Sequence, residues 1–182
     1  MTTKSAEDVV DFWFVQHGRD DWFGGKAEFD AELAAQFAET HAHVARGEAY
    51  TWRGTPDGRL AELIVLDQFS RQLFRKRPEA FAQDGMALAL AQEAVAGGHD
   101  RAVEPVRRMF FYLPYMHSES LVIHEESLRL HQRLGGEESI KFELAHQDVL
   151  RRFGRYPRRN AALGRTSTAE ELDYINSGEG MF

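Results

Sequence analysis

The chain has 182 residues and no cysteine, is 43% hydrophobic and 12% aromatic, and carries 22 Lys and Arg against 29 Asp and Glu, a net charge of −7. The lack of cysteine excludes disulfides and cysteine-based zinc, iron–sulfur or thiol chemistry. The length predicts one domain, residues 1–182, burying roughly 70% of its unfolded surface, and the acidic balance argues against nucleic acid as a partner.

The N-terminus shows no basic segment followed by an apolar run, and no stretch of about 18 apolar residues occurs, so neither a signal peptide nor a membrane partner is expected. A soluble cytoplasmic protein is the expectation. Taken in order, the elements are helical nearly throughout. Ser5 and Asp8 fit a capping pair ahead of Val9, Val10, Phe12, Trp13 and Phe14. A glycine-bearing loop with Trp22 and Phe23 follows. Phe29, Leu33 and Phe37 mark one face of a helix from about Lys26 to Arg46, ended by Gly47. From about Arg59 to Lys76 the run is apolar on more than one side, which predicts a central helix stopped by Pro78. Asp84 can cap the next helix, to Ala96, before Gly97 and Gly98. Pro105 suits the first turn of a short helix ending near Leu113, with Pro114 as its breaker. Ser118 can cap a helix to about Leu134, Gly135-Gly136 make a turn, and Glu137 to Phe153 is a helix ending at Gly154. Ser167 and Glu170 read as a capping box for a last helix to about Ile175, with a frayed tail over 176–182. Strand-like alternation is missing, so the fold class is all-α, about eight helices in antiparallel pairs joined by short loops.

Several polar constellations stand out. Asp67 and Arg71 lie one turn apart on the apolar stripe of the central helix. A buried unpaired carboxylate would be very costly there, so Asp67 needs a cationic or donor partner. That need is met equally by an internal ion-pair network. His117, Ser118 and Glu119 are adjacent at a bend, where His and Glu can supply acid–base groups or simply start a helix. His146 sits on the stripe of Phe142, Val149, Leu150 and Phe153. A lone histidine there serves either the core or a site. Six arginines fall between positions 151 and 165, and no acid occurs between Asp148 and Glu170. Arg151 and Arg152 complement a helix end. Arg155, Arg158 and Arg159 lie around Pro157, where guanidinium groups can grip internal carboxylates or a bound anion. Trp13, Trp22 and Trp52, with Phe14 and Phe23, read as core. His117, His124 and His131 are spaced by seven, about 10 Å per step along a helix, too far to share one metal. With no GxSxG, P-loop, GxGxxG or HExxH motif, neither metal nor cofactor is expected.

The blocks DFWF, LDQFSRQ, RMFFYLPYMHSE and FGRYPRRNAALGRTSTAEE, in this order over almost the whole chain, resemble the bacterial domain-of-unknown-function family 924. The resemblance implies a tetratricopeptide-like, right-handed helical array and a set of motif positions, without a reaction. Those positions are Asp67, Gln68 and Arg71; His117, Ser118, Glu119 and Glu125; and His146, Gly154, Arg155, Pro157, Arg159, Asn160 and Arg165. The chain departs from the family pattern at Ser70 (usually proline), Gln72 (usually asparagine) and Arg158 (usually histidine). An arginine cannot replace a histidine that releases a proton near neutral pH, so either position 158 is not catalytic or this chain has lost the activity.

Three functional readings follow. In the first, Asp67, Arg71, His117, Glu119, His146, Arg155, Arg159 and Asn160 serve a pocket for a small anionic ligand, with Arg155, Arg159, His117 and His146 lining it. In the second, the chain is a helical-repeat interaction module for an acidic peptide. In the third, the polar network is purely structural. An enzyme is compatible with the first.

Overall fold

The computed structural model describes residues 3–180, and among these the regular structure is all helical, with no strand. No helix among the described residues is long and apolar enough to cross a membrane. The chain divides into two compact units, the first made of residues up to Arg75 plus Glu79–Pro114, the second of Lys76–Pro78 and the residues from Tyr115 onward.

In the first unit, α1 (Ala6–Asp11) opens with the expected Ser5–Asp8 capping box. It runs into a π turn, Phe12–Gln16, that buries Phe12 and Trp13. After α2 (Arg19–Trp22), α3 (Ala27–Ala45) buries Phe29, Leu33, Phe37 and Val44 on one face. These spacings of four and seven are the stripe legible in the sequence. Thr55 caps α4 (Pro56–Leu63) by accepting from the Gly58 amide. A Cβ at position 58 would lie 2.0 Å from the Trp52 carbonyl oxygen, so that approach requires glycine.

The predicted central helix is not one regular α-helix. α4 passes into a π turn, Ile64–Phe69, and then into α5 (Ser70–Leu73), so it starts before Arg59 and ends before Lys76. The wider i→i+5 turn rotates the following residues relative to a 3.6-residue repeat. Every residue from Ile64 to Phe69 is buried, which accounts for apolar residues on more than one side. Asp84 does not cap α6 (Asp84–Ala96) but is its first residue, and its carboxylate is taken by Arg71.

Pro114 does not end α7, which spans Pro105–Met116. An interior proline removes one hydrogen bond and costs about 3 kcal/mol. Here it falls in the last turn, and burial of Phe110, Phe111, Tyr112, Leu113, Tyr115 and Met116 opposes that cost. The core of the first unit is aromatic: Trp13 stacks on Trp22 at 5.6 Å, Trp22 meets Phe110 edge-on at 5.1 Å, and Phe12 meets Phe37 at 4.8 Å. Trp52 is half-buried and Phe23 is 54% exposed, so neither joins that core.

In the second unit, α8 (Leu121–Leu134) and α9 (Glu137–Phe153) pack together across Gly135 and Gly136, whose φ angles of 83° and 91° favour glycine. Ser118 does not cap α8, whose N-cap is Ser120; the Ser118 carbonyl instead accepts from His124. Gly154, at φ 70°, ends α9 as read from the sequence. α10 (Ala169–Ser177) carries a capping box one residue later than expected, Thr168 with Glu171 in place of Ser167 with Glu170. It also runs two residues past Ile175, to Ser177, with Gly178 as its C-cap; of the segment expected to fray, residues 181 and 182 lie outside the described residues. Val149, Leu150, Tyr156 and Tyr174 form this unit's apolar cluster, with Phe153 and Ile175 against it.

Candidate functional site

Asp67 lies in the π turn of the first unit and is 2% exposed. Arg71 Nη1 is 3.0 Å from its Oδ1, and Gln68 Nε2 donates to Oδ2 at 2.5 Å. Arg71 also grips Asp84 through both terminal nitrogens, at 2.9 and 3.1 Å. The expectation of a buried Asp67 paired with an arginine holds, and Asp84 is the partner the sequence did not disclose. One guanidinium thus ties together three elements: the π turn, α5 and α6.

The arginine-rich segment belongs to the second unit, where carboxylates from distant positions supply much of the charge it lacks locally. Arg165 forks onto Glu119, both bonds 2.8 Å, and the Tyr156 amide donates to the same carboxylate. Burial pushes the Glu119 carboxyl up, but these hydrogen bonds and the nearby Arg159 outweigh it and hold the group below its ordinary range. Arg155 forks onto Glu171 at 2.7 and 2.8 Å and also donates to the Thr166 carbonyl. Arg155 first, then the Thr168 amide, draws Glu171 down to about 2. Arg151 meets Asp148 and Arg152 meets Glu170, each at 2.8 Å. Asn160 is fully buried, and its side chain donates to Ser167 Oγ.

Arg158 and Arg159 are held differently. Arg158 donates through Nε and Nη2 to the Glu179 carbonyl, at 3.1 and 2.6 Å, and lies 5.6 Å from the centre of the Tyr174 ring. Among the described residues it pairs with no carboxylate. Arg159 donates to the His117 carbonyl at 2.8 Å and lies 4.6 Å from the centre of the Tyr156 ring.

Both arginines line a cavity of about 140 Å³. Val149, Pro157 and the rings of Tyr156 and Tyr174 form its apolar walls, and Gly180 also lines it. His146 completes the lining. Its Nδ1 donates to the Phe142 carbonyl at 2.7 Å. Burial pulls its pKa down to about 4, against the favourable Phe142 carbonyl, so the ring is neutral at neutral pH. Of the residues singled out in the sequence as pocket lining, His146 and Arg159 border this cavity, His117 reaches it through its carbonyl bond to Arg159, and Arg155 is committed to Glu171.

Behind the Tyr156 ring lies a buried network. The Tyr156 hydroxyl donates to the Met116 carbonyl at 2.7 Å and is 3.1 Å from His124 Nε2. His124 Nδ1 is 2.6 Å from Glu143, and both side chains are fully buried. Ser127 and Gln147 donate to the same carboxylate at 2.6 and 3.1 Å. Burial pushes Glu143 up, but His124, Ser127 and Gln147 together hold it below the usual carboxylate range. The network fixes the tyrosine that forms one cavity wall. A trace of it was present in the sequence: His124 and Ser127 share one face of α8, and Glu143 and Gln147 one face of α9. Nothing in the spacing paired the two faces. Among the described residues no group of three or more His, Asp or Glu could hold a metal ion.

The class is therefore that of a two-unit, all-α protein with a small arginine- and tyrosine-lined cavity. Residues 9–179 match the model of a family described as bacterial protein of unknown function, DUF924, and the chain belongs to that family. It is similar to a solved structure of a protein of unknown function from Agrobacterium tumefaciens, at 39% identity and a TM-score of 0.90, covering 95% of this chain and 97% of that one. No curated protein matches the chain.

Proposed function

We propose that the cavity of the second unit is a binding site for a small anionic ligand. The observation that carries this reading is Arg158, a half-buried guanidinium lining a cavity with no carboxylate partner among the described residues. A cation held between one carbonyl and a ring retains its need for counter-charge, and a bound anion supplies it. Arg159, whose charge also acts on Glu119, lines the same cavity. A volume near 140 Å³ accepts a group the size of one side chain, which favours a small ligand over an extended acidic peptide.

The structural-network reading suits other motif positions. Asp67 and Asp84 share Arg71, Arg155 pairs with Glu171, and Arg165 pairs with Glu119. Asn160 braces the same loop. The tight two-glycine turn between α8 and α9 supports an antiparallel pair of the tetratricopeptide-like kind.

A thermal-shift titration with acetate and with inorganic phosphate tests the assignment. A ligand that binds only the folded state raises stability by about 2.7 kcal/mol at a hundred times its Kd, so Tm should rise with at least one of these anions and saturate. Arg158→Gln should remove most of the rise. Arg152→Ala, at a helix end outside the cavity, should keep it. A Tm indifferent to both anions, or a rise untouched by Arg158→Gln, would count against the site.

A further inference from the structure

Resting on that reading, we propose that the ligand is a small carboxylic acid with an apolar body of about six carbons. Its carboxylate would face the arginines and its body would lie against Val149, Pro157, Tyr156 and Tyr174. The argument begins with shape. An engineered apolar cavity of about 150 Å³ in another protein takes up benzene, and this cavity measures about 140 Å³. It is larger than one inorganic anion needs, and apart from the arginines and the His146 ring its lining side chains, Val149, Pro157, Tyr156 and Tyr174, offer mostly carbon.

Hydration points the same way. A phosphate ion presents oxygens on all sides, and those turned toward Val149 and Pro157 would lose water and gain no donor, which is unfavourable. A carboxylate concentrates its charge on two oxygens at one end, which the planar guanidinium fork matches. The rest of such a molecule gains by leaving water. The ring contacts add orientation. Arg159 lies 4.6 Å from the Tyr156 ring centre and Arg158 5.6 Å from that of Tyr174. A guanidinium resting on an aromatic face keeps its N–H bonds in its own plane, directed away from the ring. The two tyrosines thus serve twice, holding the cations and offering apolar wall to the ligand.

Isothermal titration with four probes tests the proposal on the full chain: phenylacetate, acetate, inorganic phosphate and the neutral 2-phenylethanol. Phenylacetate should bind at least about tenfold more tightly than acetate, because its ring is buried, and more tightly than phosphate. The neutral alcohol should bind more weakly than phenylacetate. Val149→Ala should weaken phenylacetate severalfold and acetate much less, with circular dichroism reporting that the variant is folded. Arg158→Gln should weaken both acids. If acetate or phosphate binds as tightly as phenylacetate, the apolar body is wrong and the anion site stands. If 2-phenylethanol equals phenylacetate and Arg158→Gln changes nothing, or if none of the four binds, the anion site falls and this inference with it.

Discussion

At Asp67 a carboxylate sits 2% exposed among Leu66, Phe69 and other buried side chains, and its ionised form depends on Arg71 and Gln68. Removing one partner of a buried charge pair costs about 3–5 kcal/mol, mainly because the other charge is left uncompensated. Arg71 would retain Asp84, so Asp67→Ala should fall at the lower end, about 3 kcal/mol, in urea denaturation. A loss below about 1 kcal/mol would show that the pair contributes little. This residue was legible in the sequence because the i,i+4 relation to Arg71 and the apolar stripe are both local. Asp84, thirteen positions from Arg71, was not, because nothing in a local pattern encodes which helix packs beside which. The same holds for the arginine segment. Its need for distant counter-charge could be read from the missing local acids. The pairing of Arg155 with Glu171 and of Arg165 with Glu119, 46 positions away, depends on tertiary placement.

At the scale of elements, the start of α10 shows how a one-residue ambiguity is settled. The run Ser167-Thr168-Ala169-Glu170-Glu171 offers two capping boxes with identical spacing. Ser167 Oγ is occupied by Asn160 and the Glu171 carboxylate by Arg155, so the later box forms. Thr168→Ala should therefore destabilise by about 1 kcal/mol in chemical denaturation, the usual cost of a lost threonine cap. An unchanged midpoint would mean that the Arg155–Glu171 pair alone holds this end of the helix. The π turn at Ile64–Phe69 was hidden for a different reason. A period of 3.6 is assumed when a stripe is read, and a widened turn appears merely as a helix apolar all round. Helix existence, the end of α9 at Gly154 and the buried face of α3 were readable because short-range patterns determine them.

For the molecule as a whole, the buried His41 and His131, the half-buried His146 and the paired carboxylates act together on acid stability. Burial lowers the pKa of His41, and it takes His131 and His146 down to about 4 from an ordinary value of 6.5. As pH falls from about 6.5, the unfolded chain binds protons that the folded chain refuses, so stability declines toward pH 4. Glu119, Glu143 and Glu171 are held below their ordinary value of 4.5, Glu171 down to about 2. Their contribution is complete above about 4.5 and is lost as pH falls further, again because the unfolded state takes the protons first. The two groups share one sign and occupy adjacent windows. Urea-unfolding free energy should therefore decrease continuously from about pH 6.5 to pH 2. Each proton contributes a slope of up to about 1.4 kcal/mol per pH unit. His131, 1% exposed, bonds through Nδ1 to Ser139 Oγ and lies away from the cavity lining, with Glu143 and His124 the charged groups that act on it. His131→Gln should flatten the profile between pH 6.5 and 4 by about 3 kcal/mol in total. The fall below pH 4, which belongs to the carboxylates, should remain. A variant profile parallel to the parent's over the upper window would place the acid sensitivity on other groups.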